Sequence, residues 1–269
     1  MKEVLLYSGG LDSYLAREYL LNKGHNELEC VYYDLKHRYS KQEIETLKKL
    51  PFNVSVDSML KLGIMEQPDA YIPNRNLFLT MAAASTYADT IWIGGTMSDR
   101  VVDNKKDVFD KFSAFLSEVN QKHIKIDSPF WDCYKTDAMR WFRIYRSPSF
   151  SNADLKPIAN ELLNNTFSCF TPSKGGKVTC SIQDVNEKED TYFRYNTTEC
   201  MKCAACFRKS VELNSVGICR PFMDDNIIEK YRTEFSYPLV STPRAVATIK
   251  YIQKLDYIKH KIKEIQSAT

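Results

Sequence analysis

Six residues near the start of the chain, Ser8-Gly9-Gly10-Leu11-Asp12-Ser13, have the types and order that phosphate chemistry asks for. Two glycines let the backbone come close to a ligand, because no Cβ stands in the way. Where such a turn feeds a helix, the unbonded N–H groups of the first helical turn and the helix dipole favour an anion. Ser8 and Ser13 add hydroxyl donors. Asp12 makes sense beside phosphate only where a cation or an amide has to be oriented. The plainer reading is an ordinary strand-to-helix turn in which Ser and Asp cap the helix. Neither G-x-x-x-x-G-K-[ST] nor G-x-G-x-x-G occurs, which excludes a Walker A loop and a dinucleotide fingerprint.

A second chemical set lies downstream. Cys200-x2-Cys203-x2-Cys206 lets a tight knuckle offer three thiolates to one metal. Zn²⁺ takes a fourth ligand at about 2.3 Å, and four thiolates with no open position make a structural site. Cys169 and Cys180 are both upstream candidates for that ligand, and an iron–sulfur cluster is the alternative to zinc. Arg75, which follows Pro73-Asn74 and precedes an Ala-rich run, reads as a phosphate- or carboxylate-directed cation rather than a plain surface charge.

The elements that must position these groups alternate. Val4-Leu5-Leu6 reads as a buried strand, and Tyr14, Leu15, Tyr19 and Leu20-Leu21 recur at helical spacing from Ser13. Glu29–Tyr33 reads as a second strand running into Asp34. A helix is expected from Ser40 to Leu50, with Ile44, Leu47 and Leu50 on one face and Pro51 as its stop. Phe52–Val56 reads as a third strand, Asn76 to about Ala88 as a helix, and Thr90–Gly95 as a fourth strand. Then come a helix from Val108 to Asn120 bearing Phe109, Phe112, Phe115 and Leu116, and a fifth strand at Ile124–Ile126. Lys135-Thr136 precedes a helical segment whose Met139, Trp141, Phe142 and Tyr145 read as core rather than as a base-stacking surface. A short helix at Ile158–Leu163 follows. This alternation argues for a parallel sheet with crossover helices, which binds ligands at the carboxyl ends of its strands. Ser8–Ser13 and Asp34 both fall there.

At 269 residues, the chain is long enough for a full core with an appendage. With 43% apolar and 26% charged residues and a net charge of +3, it reads as an ordinary soluble protein with no call for nucleic acid or membrane. No run of about 18 apolar residues and no signal peptide is present, which points to the cytoplasm. Its eight cysteines then read as metal ligands or spare thiols rather than disulfides.

Ser8–Ser13 resembles the pyrophosphate loop of the N-type ATP pyrophosphatases, which split ATP between its α and β phosphates and adenylate a substrate. Further strings follow in order: Tyr33-Asp34 through Arg38, Tyr71-Ile72-Pro73-Asn74-Arg75-Asn76, Ile93-Gly94, Lys135-Thr136, Thr166-Phe167-Ser168-Cys169, and Cys200-x2-Cys203-x2-Cys206-x-Arg208. Together they resemble the 7-cyano-7-deazaguanine synthase (QueC-like) family as far as about Val211.

The resemblance implies an α/β doubly wound parallel-sheet fold of the adenine nucleotide alpha hydrolase-like (HUP) kind over residues 1–165. A zinc-knuckle and helical region over 166–269 would follow. It implies a ligase using ATP, Mg²⁺ and Zn²⁺ that adenylates 7-carboxy-7-deazaguanine and amidates it with ammonia, giving the amide or the nitrile. ATP would be held by Tyr7, Ser8, Gly9, Gly10, Leu11, Asp12, Ser13, Tyr33, Arg75 and Gly94. Asp12, Ser13, Arg75, Asp99 and Lys135 would be catalytic, with Phe170 stacking on the base. The metal would fall to Cys169, Cys200, Cys203 and Cys206, although Cys180 keeps that choice open.

Three departures stand out, the first two at the substrate end and the third between the cysteines. Lys36-His37 stands where the family has Gly-Gln, and Asp103-Asn104-Lys105 where it has an acidic–Cys–Arg string. Gly175–Asn196 reads as a polar insertion. The alternatives are a tRNA-thiolation enzyme, which would need a free thiol pair, and a zinc-stapled nucleotide-binding module. The helical stretch from Ile227, with Ile249, Ile252, Leu255 and Ile262, lies outside the resemblance and offers an apolar face for a second copy.

Overall fold

The computed structural model describes the chain except residues 1, 87, 98, 100, 150, 152, 183–190, 236–241 and 268–269, and of 261–267 it describes the backbone alone. The chain divides into two compact units, residues 1–138 with 162–170 and residues 139–161 with 171–269.

In the first unit, β1 (Glu3–Leu6), α1 (Leu11–Asn22), β2 (Glu29–Tyr33), α2 (Ser40–Leu47) and β3 (Ser55–Asp57) come first. α3 (Arg75–Ser85), β4 (Thr90–Trp92), α4 (Lys106–Asn120) and β5 (Lys125–Asp127) follow. All five strands are parallel, in the order β3-β2-β1-β4-β5. Val4 pairs with Glu29 on one side and Ile91 on the other. Val4, Leu5 and the whole of β4 are buried, as strands covered on both faces must be. Phe109, Leu116, Ile124 and Ile126 complete the core, and Ala82, Ala83 and Ala84 add only small side chains to it. Strand order reverses between β1 and β4, and the crevice outside their carboxyl ends is where open sheets of this kind receive ligands.

α2 ends at Leu47, short of the expected Leu50. Pro51 disfavours helical backbone at the residue before it, and Leu50 N–H bonds back to Leu47 C=O instead. The inward face includes a polar group as well: Glu43 is buried and accepts a 2.6 Å bond from the Tyr32 hydroxyl. The third strand is later and shorter than Phe52–Val56. Phe52 packs edge-on against Tyr7 and lies under the Arg17 guanidinium. On α4, Phe109 and Leu116 are core while Phe115 is exposed.

α5 (Lys135–Arg146) and α6 (Leu155–Asn165) come next, followed by β6 (Gly176–Ile182), β7 (Thr191–Thr197), α7 (Ala204–Asn214), β8 (Ile218–Cys219), α8 (Asp225–Phe235) and α9 (Pro243–Ser267). On α5, Met139 and Phe142 are core, while Tyr145 stands outward and stacks on Trp141. The stretch read as an insertion holds β6 and β7, which form an antiparallel sheet with β8 in the order β7-β6-β8. Phe193 and Tyr195 point inward while Tyr192 and Arg194 are exposed, the period-two alternation of a half-covered strand. The tip of that stretch lies outside the described residues. α9 packs on α7 and α8 and buries Tyr251, Ile252 and Leu255 there. Much of the face read as a partner surface is thus used within the unit, and the Ile262 side chain lies outside the described residues. Among the described residues, no helix is long and apolar enough to cross a membrane.

Candidate active site

The turn after β1 is held by its own polar groups. Gly9 sits at φ +74, a backbone shape that favours glycine, and its C=O accepts a 2.8 Å bond from Phe167 N–H. Gly10 takes the helix-cap position with extended backbone, and no side chain caps α1, so the plainer reading of Ser and Asp as caps does not hold. Ser8 Oγ instead accepts from Gly10 N–H at 3.2 Å, and Ser13 Oγ donates to Gly10 C=O at 3.0 Å. The first helical bond is Tyr14 N–H to Gly10 C=O. Helix geometry therefore offers no acceptor to the N–H groups of the first turn, which suits them to an anion.

Two residues expected at the nucleotide have buried side chains. Tyr7 is 1% exposed, and its N–H is committed to Val31 C=O. Tyr33 is buried in β2, where burial pushes its hydroxyl up to about 12. Leu11 is buried as well. Gly94 has a steric role: a Cβ there would lie 3.1 Å from the Asp12 carbonyl carbon and from Ser13 N, so glycine lets the end of β4 close on the loop.

Three charged residues distant in sequence meet beside the loop. Lys135 Nζ lies 2.6 Å from Asp12 Oδ2 and 3.8 Å from Asp99 Oδ1. Asp99 Oδ2 accepts from Thr96 N–H at 2.7 Å and from Asn104 Nδ2 at 2.8 Å. All three charged side chains stay partly open to solvent. Arg75 opens α3, half-buried, and its charge reaches the Tyr39 hydroxyl. Asn74 before it is left-handed and makes no side-chain cap. The buried Asp103 caps α3 in its place, accepting from Asn76 N–H at 3.1 Å. Asp103 and Asn104, both in a stretch that departs from the resemblance, thus brace Arg75's helix and Asp99.

The other departure is braced too. Lys36 sits at φ +60, and its backbone N–H and its ammonium bond the buried Asp34 carboxylate at 3.1 and 2.5 Å. Burial alone would raise the Asp34 carboxyl, but the Lys36 bonds prevail and hold it below the usual carboxylate range. His37 is buried against Ser40 and Glu43, its ring 3.9 Å from that of Tyr39, and Tyr39 in turn faces Phe170 at 5.6 Å.

In the knuckle, Cys200 Sγ lies 4.0 Å from Cys206 Sγ and accepts from Lys202 N–H, Cys203 N–H and the Thr171 hydroxyl. Met201 takes φ +57 to make the turn, and Cys203 takes the position before α7, in whose first turn Cys206 lies. The sulfurs of Cys169, Cys200, Cys203 and Cys206 all lie within 4.8 Å of one another. A tetrahedral zinc with sulfurs at about 2.3 Å needs separations near ~3.8 Å, so this donor set is compatible with zinc. Cys180 is not among the four. It is fully buried on β6, where burial pushes its thiol up to about 12.

A family model described as "Queuosine biosynthesis protein QueC" matches residues 53–217. The chain belongs to the QueC family. The matched span includes Arg75, Asp99, Lys135 and all four cysteines of the cluster, and the Ser8–Ser13 loop precedes it. Membership in QueC points to an ATP-using enzyme of queuosine biosynthesis. No curated protein matches the chain. Among solved structures, it is similar to a predicted subunit of tRNA methyltransferase from Methanocaldococcus jannaschii. The two are 18% identical over 66% of this chain and 80% of that one, with a TM-score of 0.36.

A group the sequence did not reveal lies beside the knuckle. Glu199, Lys209 and Arg220 are all buried, with Lys209 Nζ 3.0 Å from Glu199 Oε1 and Arg220 paired to Glu199 Oε2. Charged residues read as surface in a sequence, and no spacing marks these three as interior.

Proposed function

We propose that this QueC-family chain uses ATP to activate the carboxylate of a 7-carboxy-7-deazaguanine-like acid and then amidates it with ammonia. The observation that carries this reading is Lys135 held between Asp12 and Asp99 beside an uncapped helix N-terminus, at the point where the strand order reverses.

A carboxylate is a poor electrophile. Attack of its oxygen on the α-phosphate forms an acyl-adenylate and expels pyrophosphate. Ammonia then displaces AMP, leaving the amide. Adenylation of the amide oxygen and loss of AMP would give the nitrile. No side-chain nucleophile is needed, so the protein's part is positioning and charge neutralisation. Ser8, Gly9, Gly10 and Ser13 cradle pyrophosphate with loop and first-turn donors. Lys135 and Arg75 neutralise the charge that develops between the α and β phosphates. Mg²⁺ would neutralise phosphate charge, with Asp12 and Asp99 as its carboxylate ligands. Phe170 provides an aromatic face for the deazapurine, with the buried Tyr39 ring behind it. Zinc on the four cysteines would be structural, and the many reduced thiols suit the cytoplasm.

Lys36, His37 and Asn104 change the substrate end, which favours accumulation of the amide over the nitrile. The test is mass spectrometry after incubation with ATP, ammonium and the acid, alongside assay of AMP and pyrophosphate. Appearance of the amide or nitrile mass supports the reading. Turnover of ATP with a different acid, and no change in this one, refutes the substrate while leaving adenylation in place.

A further inference from the structure

Arg220 is among the largest fully buried side chains of the protein, and it is spent on the cysteine knuckle. Its NH2 donates to Cys206 C=O at 2.8 Å, and its Nε donates to Ser210 Oγ at 2.6 Å. Ser210 Oγ donates to the same Cys206 C=O at 2.9 Å. The Tyr251 hydroxyl holds Arg220 from behind through its C=O at 2.7 Å. Glu199 directly precedes Cys200, and Lys209 lies on α7 just past Cys206. The Cys206 thiol acts electrostatically on both cations.

Taking three charges out of water is costly, and one anion with two cations carries a net positive charge. A divalent metal with three thiolates carries one negative charge, and with four it carries two. The sign and the location match.

We propose that Glu199, Lys209 and Arg220 form the outer shell of the cysteine centre. They supply the fixed positive charge that stabilises a thiolate-rich metal site, and they orient the Cys200–Cys206 loop. This rests on the zinc reading given above. Glu199 sets the positions of both cations, leaving one charge in excess. The three are positioning residues, acting through the ligands without touching the metal.

The test is zinc release to a coloured chelator from the full, zinc-loaded chain, with circular dichroism to establish folding. Lys209→Met lowers the cluster charge to zero and should speed zinc loss by about ten- to a hundredfold, the usual weight of an outer-shell partner. The double variant Glu199→Gln, Lys209→Met restores the net charge while disturbing the packing more, and should hold zinc to within about threefold of wild type if charge is what matters. A Lys209→Met variant that holds zinc like wild type overturns the proposal. So does a double variant that releases zinc as fast as the single or fails to fold, because the role is then purely structural. A wild-type chain that takes up no zinc removes the zinc reading and this proposal together. Zinc-loaded wild type with either overturning result removes this proposal alone.

Discussion

Lys135 Nζ lies 2.6 Å from the Asp12 carboxylate and so ties the first residue of α5 to the first turn of α1. Asp99 stands 3.8 Å from the same ammonium. The Lys135 ammonium therefore stands between two carboxylates beside the Ser8–Ser13 loop. Replacing it should do more harm to a phosphate-bearing transition state than to the fold, because all three groups are partly solvated. We expect Lys135→Met to lower pyrophosphate release by about 10²- to 10³-fold, the usual cost of removing a group aimed at developing charge. Far-ultraviolet circular dichroism should stay that of wild type. Activity within a few fold of wild type would remove Lys135 from the site.

Gly94 makes a stricter demand on backbone. A Cβ there would meet the Asp12 carbonyl carbon, Asp12 Cβ and Ser13 N, all at 3.1 Å, and two of these are main-chain atoms that cannot swing aside. Gly94→Ala should cost about 1–3 kcal/mol of stability, as overpacking does. It should also raise the KM for ATP, because the relief available is movement of the loop itself. Thermal melting and initial rates check the two effects, and an unchanged KM would show that the loop does not bind the nucleotide.

Much of this arrangement is legible in the residues. The runs at Val4–Leu6, Cys30–Tyr33 and Ile91–Trp92 read as strands because they are largely buried and thus continuously apolar. The turn at Ser8–Ser13 announces itself through its glycines. Other features were hidden for physical reasons. β6 and β7 form a half-covered hairpin whose outward Tyr192, Arg194 and Asn196 make the stretch look like polar loop. Asp103 and Asn104 act only on groups that folding brings to them. The Tyr7 ring is buried edge-on against Phe52, which the backbone path decides and the motif does not.

Cys180 tests the choice of metal ligands. It lies fully buried opposite Phe193, and burial pushes its thiol up to about 12, so almost none is thiolate at neutral pH. The folded protein should resist alkylation there while the unfolded chain reacts. Cys180→Ala should keep the metal content of wild type, whereas Cys203→Ala should lose it and lose stability with it, since binding at a structural site contributes folding free energy. Loss of metal in Cys180→Ala, by elemental analysis, would overturn the assignment of Cys169, Cys200, Cys203 and Cys206.

Asp103 ties its own stretch to the start of the helix that Arg75 opens. It is buried, and it accepts from Asn76 N–H at the start of a helix whose preceding Asn74 is left-handed and gives no cap. Removing a helix cap costs about 0.5–2 kcal/mol. Here the frayed turn would carry Arg75 with it. Asp103→Ala should therefore lower the melting temperature and also lower turnover, whereas Asp103→Asn, which keeps an oxygen acceptor for that N–H, should recover most of both. A purely structural cap would lower the melting temperature of the alanine variant and leave its kcat and KM at assay temperature unchanged. Kinetics measured well below the melting transition decide between the two, and a normal kcat in a destabilised Asp103→Ala protein would show that the position of Arg75 does not depend on this cap.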